Sequence, residues 1–308
     1  MINRILIRIK VLQTVYSYYH SGLDSVQDAE EALLSSLQKS YNLYFYLLQL
    51  ILSVTQIHRH ILEFHKHKLE PTEEEKHPNM RLANNRFVTL LESNEELNRY
   101  CEENSINCVE DKVFVRSLLD KILASDLYKS YLEDSNDNYE TDRHFWHSAF
   151  KKLICADETT DDFLLEKCID WNVDVPIIES FVLKTINQYK FSLGSHHPLL
   201  EMYNNDDTKE FAVRLLRLTL INGDKYKEII FKNVKNWKDD RLADLDVEIL
   251  QLALSEILNF PTIPISVTMD EYIEYAKYFS TPKSAKFING ILGAIVKEFK
   301  SENKLFKN

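Results

Sequence analysis

"DLDVEILQLALSEILNFPTIPISVTMDEYIEYAKYFSTPKSAKFINGILGAIVKEF" (244–299) holds three helical patterns separated by two punctuated breaks. Apolar residues recurring every three or four positions predict helices near 246–259, 268–279 and 282–300. Thr268 with Glu271 reads as a capping box, the hydroxyl reaching a backbone amide and the carboxylate reaching back. Thr281 followed by Pro282 is a second start signal, with proline at the first helical position. Between the first two helices "NFPTIPISV" (259–267) reads as an extended connector, because each proline disfavours helix in the residue before it. Gly290 and Gly293 fall inside the last helix, where glycine costs about 1 kcal/mol against alanine. With Asn289 they point to close helix packing rather than to ligand binding.

Outward from this stretch the helical reading continues. Upstream, helices are expected near 207–221 and 224–237, and before them near 26–68, 84–104, 111–132, 142–155, 160–170 and 176–193. Polar linkers such as "LEPTEEEKHPN" (69–79) and "LEDSNDNYETD" (132–142) separate several of these. A first helix is expected over 3–19, with Ile5, Ile9, Leu12, Tyr16 and Tyr19 as its buried stripe. In 111–132 the stripe is Val113, Leu118, Ile122 and Leu127. Only five glycines and seven prolines occur in 308 residues. Hairpin turns are therefore scarce and the expected fold is all-α.

Charge divides the chain unevenly. The formal net charge is −11, yet residues 1–20 hold three basic side chains, Arg4, Arg8 and Lys10, and no acidic one. Residues 21–205 hold 32 acidic and 18 basic side chains, and 206–308 hold 16 of each. The middle carries the acidic excess, which suggests one module inserted between two parts of another. The expected division is a first helix over 1–22, an acidic helical insertion over 23–205, and the remainder of the first module over 206–308.

Several function classes lack support in the sequence. Cys101, Cys108, Cys155 and Cys168 show no CxxC spacing and read as buried thiols, neither disulfides nor a zinc site. "HRHILEFHKHK" (58–68) invites a metal reading. On a helix, however, His58 and His65, like His60 and His67, stand two turns or ~10.5 Å apart, and no HExxH occurs. A partly protonated surface is the expectation there. No P-loop, GxGxxG or GxSxG is present, and no cofactor is expected. The most apolar stretch, "NLYFYLLQLILSVTQI" (42–57), is short and interrupted by Asn42 and Gln49, so it reads as a buried helix and no membrane association is expected. Arg8 and Lys10 break what would be a signal peptide's apolar region. An acid-poor basic start also resembles a mitochondrial transit peptide, but the chain is expected to be cytoplasmic.

The 244–299 stretch resembles the transcription antitermination factor NusB family. The elements that carry the resemblance are the helix ending in Glu256, the connector with Pro264 and Val267, Glu271 opening the next helix, and "KFING" (286–290). Upstream, "FAVRLLRLTLINGDKYKEIIFKNVKNWKDDRL" (211–242) fits the family's preceding helices. "RIKVLQTVYSY" (8–18) fits its first helix through Arg8, Gln13 and Tyr16. The resemblance covers roughly 1–22 and 206–300. It implies an all-helical core of two packed bundles and a function: binding boxA RNA together with NusE, a small-subunit ribosomal protein. That complex loads onto RNA polymerase and suppresses premature termination, notably in ribosomal RNA operons. In the family an arginine-rich N-terminus helps hold RNA. Here Ile5, Leu6 and Ile7 separate Arg4 from Arg8, a departure that makes a co-binding partner more necessary.

Arg4, Arg8, Lys10 and Gln13 are the expected RNA contacts, since phosphate contact is local and need not reverse the net charge. Tyr16, on the apolar stripe, reads as core. Lys283 and Lys286 either extend the basic surface or simply solvate the last helix. Asp246, Glu256, Thr262, Pro264, Val267 and Glu271 are the expected surface for NusE. The acidic insertion is expected to repel RNA over about a Debye length, ~8 Å at physiological salt. Two other functions compete with a non-enzymatic antitermination factor. A NusB-like domain also precedes the catalytic domain of some RNA cytosine methyltransferases, but no such domain follows residue 300 here. The third is an interaction protein working through its insertion.

Overall fold

The computed structural model describes residues 1–22, 25–234, 243–303 and 305. All its regular elements are helices, apart from a single parallel bridge between Ile2 and Tyr203. The chain divides into two compact units. A terminal unit comprises Ile2–Leu37 and Tyr203–Asn308, and a central unit comprises Met1 and Gln38–Met202. The stretch 23–37 thus groups with the terminal unit, and the division falls inside a helix rather than after residue 22.

The terminal unit contains α1 (Arg4–His20), the first turns of α2 (Val26–Lys66), and the helices after Tyr203. The central unit contains the rest of α2, then α3 (Glu73–Lys76), α4 (Arg86–Glu92), α5 (Glu95–Glu103), α6 (Lys112–Ala124), α7 (Asp126–Glu133) and α8 (Tyr139–Ala149). A π-helical turn, Phe150–Ile154, extends α8. After it come α9 (Glu158–Lys167), a 3-10 turn at Ile169–Trp171, α10 (Val175–Gln188) and a second 3-10 turn at Phe191–His196. The terminal unit resumes with α11 (Asp206–Ile221), α12 (Gly223–Val234), α13 (Asp244–Asn259), α14 (Ile265–Phe279) and α15 (Pro282–Ser301). The last residues of the expected 224–237 helix, 235–237, lie outside the described residues.

Helix α13 organises the terminal unit. Every residue from Asp246 to Ile257 is buried, and α1, α11, α12, α14 and α15 all pack against it. A helix buried on all sides is central to its core. α1 begins where Asn3 caps it, Oδ1 accepting from the Leu6 amide at 2.9 Å. Its expected stripe is only partly right. Ile9 and Leu12 are buried, but Ile5 and Tyr16 are exposed, and Leu6, Ile7, Val11 and Val15 are buried in addition. So many buried positions mean that α1 is packed around most of its circumference.

Asparagine and serine caps explain where expected helices divide in the central unit. Asn94 accepts from the Leu97 amide at 2.9 Å, and its side-chain nitrogen donates to the Tyr189 hydroxyl and the His197 carbonyl. This splits 84–104 into α4 and α5. Ser125 caps α7 through the Tyr128 amide and splits 111–132. Val113 is 87 % exposed, so it leaves the expected stripe, whereas Val115, Leu118, Leu119 and Ile122 are buried. His58 is likewise buried, not part of a protonated surface. Burial, with the Arg116 charge as a second cause, lowers its pKa to about 4.

Candidate nucleic-acid interface

Arg8 leaves the expected RNA surface first. Its Nε and Nη2 donate to the two Glu256 oxygens at 2.7 and 2.8 Å, a bidentate pair with both side chains buried. Thr268 Oγ1 donates to Glu256 Oε1 at 2.8 Å and the Tyr272 hydroxyl to Oε2 at 3.3 Å. Arg8 Nη1 also lies 3.7 Å from Glu271, which accepts from the Tyr275 hydroxyl at 2.7 Å. Burial works against the charged guanidinium, but the bonds to Glu256 outweigh it and hold its pKa above the ordinary arginine value. A buried charge needs such a partner, and this one has it.

The same network corrects three further expectations. Glu256 is fully buried and so is unavailable to a partner protein. Thr268 is not a cap: α14 starts at Ile265 after Pro264, and the Thr268 hydroxyl serves Glu256 instead. The extended connector accordingly shortens to residues 260–264. Lys10 is fully buried, which keeps its ammonium from RNA phosphates, and Asp246 is buried in α13. Gln13 is half-buried, and Lys283 and Lys286 are exposed at the start of α15. Thr262, Pro264 and Val267 are exposed, and Glu271 partly so. The second start signal holds: Thr281 caps α15 through the Ser284 amide at 3.1 Å.

Arg4 is exposed, and the structure gives it neighbours that the sequence did not suggest. Its guanidinium carbon lies 5.3 Å from the Phe211 ring centroid. Phe211 meets Phe260 edge to face, centroids 5.1 Å apart. Arg214 lies 5.0 Å over Phe260, and its Nη2 donates to the Asn259 carbonyl at 3.1 Å. Arg4 and, at 5.7 Å, Arg8 of α1 lie over Phe211, and Arg214 of α11 lies over Phe260, so three arginines flank one aromatic pair within cation–π range. From Arg214 a groove of about 600 Å³ runs along the outer side of α11, lined by Lys209 and Arg217, by the acidic Asp206 and Glu210, and by Val213 and Ile221. Arg217 is engaged by Glu30 of α2, Nη2 to Oε2 at 2.6 Å. Sequence reading missed Lys209, Arg214 and Arg217 because they fall in a charge-balanced region. The available signal was the arginine three residues after Phe211, on one helix face.

Planar cations over aromatic rings, beside an exposed proline-containing connector, can hold phosphates and stack on unpaired bases. Among the described residues no group of histidine, cysteine and acidic side chains is placed to hold a metal ion. No described helix is long and apolar enough to cross a membrane.

The described elements of the terminal unit are thus helical, with arginines of α1 and α11 set over one aromatic pair. Comparison with known proteins then specifies the family. The NusB family model matches residues 180–297. The transcription antitermination protein NusB of Salinibacter ruber is 38% identical over 113 residues, covering 36% of this chain and 71% of that protein. NusB of Bacillus licheniformis is 41% identical over 92 residues, 30% of this chain and 71% of the relative. NusB of Alkaliphilus oremlandii is 33% identical over 118 residues, 38% of this chain and 85% of the relative. The chain belongs to the NusB family. The matched segment begins at residue 180, upstream of the expected 206, and does not include α1. No solved structure matches significantly.

Proposed function

We propose that this chain is a non-enzymatic transcription antitermination factor that binds boxA-type RNA together with NusE. The observation that carries the reading is the cluster Arg4, Phe211, Phe260 and Arg214 beside the exposed connector residues Thr262, Pro264 and Val267. RNA rests on Arg4 and Arg214, with Lys209 adding a third cation along the groove. NusE docks on the connector and the first turn of α14, so that the two ligands meet beside Arg214, which covers the buried Phe260. Three cations give weak RNA binding alone, which is why the partner completes the site. Assembly with RNA polymerase follows from that complex. In this reading residues 38–202 are a helical insertion into the antitermination core, and the protein works in the cytoplasm.

The test is fluorescence anisotropy of a boxA-containing RNA with and without purified NusE. Arg4→Ala with Arg214→Ala should weaken binding and flatten the salt dependence by up to ~0.7 log units per lost contact. Val267→Asp with Pro264→Asp should remove the enhancement by NusE and leave binding to RNA alone. Absence of boxA binding in the presence of NusE would sink the reading.

A further inference from the structure

The central unit holds a pocket of about 580 Å³ bounded by α2, the chain between α5 and α6, and the turn after α9. Its floor is aromatic, formed by Tyr46 and Trp171 with ring centroids 5.6 Å apart. The polar ends of both rings are already satisfied. The Tyr46 hydroxyl donates to Asp111 Oδ2 at 2.8 Å, and Trp171 Nε1 donates to the Lys39 carbonyl at 2.9 Å. Lys167 Nζ sits 5.1 Å over Tyr46 and donates to the Asp111 oxygens at 3.0 and 2.8 Å. Its charge is offset within the wall by Asp111.

The opposite wall is held in shape before any ligand arrives. Ser105 lies in the left-handed region at φ 55°, a conformation a non-glycine residue keeps only when its surroundings fix it. The Ile106 amide donates to the Cys101 carbonyl at 2.8 Å, and the Val109 amide to Asn107 Oδ1 at 3.0 Å. Exposed apolar side chains occupy the mouth and its continuation. Val109 lines the pocket and is 64% exposed; Ile169, between the lining residues Lys167 and Trp171, is 79% exposed. Glu110 lines the pocket and is exposed, and Glu102 and Glu103 are exposed at the end of α5, just ahead of this wall. The unit as a whole carries 28 acidic against 18 basic side chains.

We propose that this pocket docks a basic segment of a partner protein, independently of the RNA surface. An apolar side chain of the segment seats on Tyr46 and Trp171, and its lysines or arginines face the glutamates of the wall. An aromatic anchor site within a net acidic unit gives both halves of such recognition, affinity from the buried anchor and steering from the charge.

The full chain is titrated into a fluorescein-labelled peptide of fourteen residues, Lys and Ser around a central Leu–Phe pair, and followed by anisotropy. Saturable binding is expected. It should weaken at least tenfold when the Leu–Phe pair becomes Ser–Ser, and should vanish when the lysines become glutamates. Val109→Lys with Glu110→Lys alters only exposed side chains, so a melting curve like that of the parent is expected, with at least tenfold weaker peptide binding. Absent saturation, equal binding by the Ser–Ser peptide, or undiminished binding by the variant would overturn the proposal. So would indole binding in the pocket that the peptide fails to displace, since that assigns the pocket to small molecules.

Discussion

The two units treat buried ionisable groups in opposite ways. At the centre of the terminal unit the charges are paired: Arg8 lies against Glu256 with Thr268 and Tyr272 completing the carboxylate, and His20 Nε2 meets the buried Glu248 at 2.8 Å. The central unit also pairs some, as Arg86 does Asp142, but it holds His58 and Glu179 buried without a countercharge. Burial, then the nearby Asp161 charge, raises the Glu179 pKa to about 7, while burial lowers that of His58 to about 4. Paired charges fix geometry over a wide pH range, whereas neutralised ones make stability depend on pH. The Arg8–Glu256 pair thus fixes α1 on α13, while in the same unit burial raises the Glu248 pKa despite the neighbouring His20.

The largest expected effect breaks the pair at its centre. Arg8→Ala or Glu256→Ala leaves an uncompensated buried charge and should cost about 3–5 kcal/mol, read as a fall in urea midpoint. Arg8→Met combined with Glu256→Leu should recover most of that loss, because neither desolvated charge remains. Single variants as stable as the parent would show that the pair contributes nothing to holding α1 on α13.

How much of this was legible in sequence depends on the interaction's range. Helix existence was legible for most of the chain, because it rests on local periodicity and on caps such as Thr281 with Pro282, although the one-turn α3 lies inside the 69–79 stretch read as a linker. Arg8 was misjudged because its partner is 248 residues away. An arginine among apolar residues looks the same in sequence whether it faces solvent or a buried carboxylate. Glu256 was misjudged for the same reason, and the Thr268 hydroxyl was mistaken for a cap when it serves the Glu256 carboxylate twelve residues before it. Asn85 and Asn94, by contrast, sit before "RFV" and "EEL" as local N-cap signals, and could have divided α4 from α5. Arg214 was hidden by the charge balance of 206–308, where its value comes only from Phe260 folding beneath it.

The second effect tests the other half of the comparison, and the signs oppose each other. His58 has its pKa lowered by burial, so its contribution is fully present above its ordinary value of 6.5 and is lost as pH falls toward 4. Glu179 has its pKa raised, so its contribution is fully present below its ordinary value of 4.5 and is lost as pH rises through 7. Between pH 4.5 and 6.5 the two slopes partly cancel. His58→Leu should uncover the Glu179 slope, and the variant should gain stability on acidification from pH 7 to 4.5. Glu179→Gln should do the reverse. Each change is worth up to about 3 kcal/mol by linkage, measured as urea midpoints at the two pH values. Parallel pH profiles for parent and both variants would show that neither group is buried neutral.

The smallest effect concerns the boundary between charge regimes. The four acidic residues between 23 and 37 group with the terminal unit, which thereby holds 20 acidic and 19 basic side chains. One of them, Glu30, engages Arg217, which lines the same α11 groove as Lys209 and Arg214. An exposed pair of this kind contributes about 0–1 kcal/mol to stability, so Glu30→Gln should barely move the urea midpoint. Its consequence for binding is different. Released from the carboxylate, the Arg217 guanidinium becomes a further cation along the groove, and single-stranded RNA gains a contact. The salt slope should steepen by up to ~0.7, a gain of roughly threefold in affinity on going from 200 to 50 mM salt beyond that of the parent. Arg217→Ala added to Glu30→Gln should abolish the gain, which separates a specific contact from the mere loss of one negative charge. A slope unchanged by Glu30→Gln would place the RNA away from this part of α11 and confine its contacts to the Arg4 end of the surface.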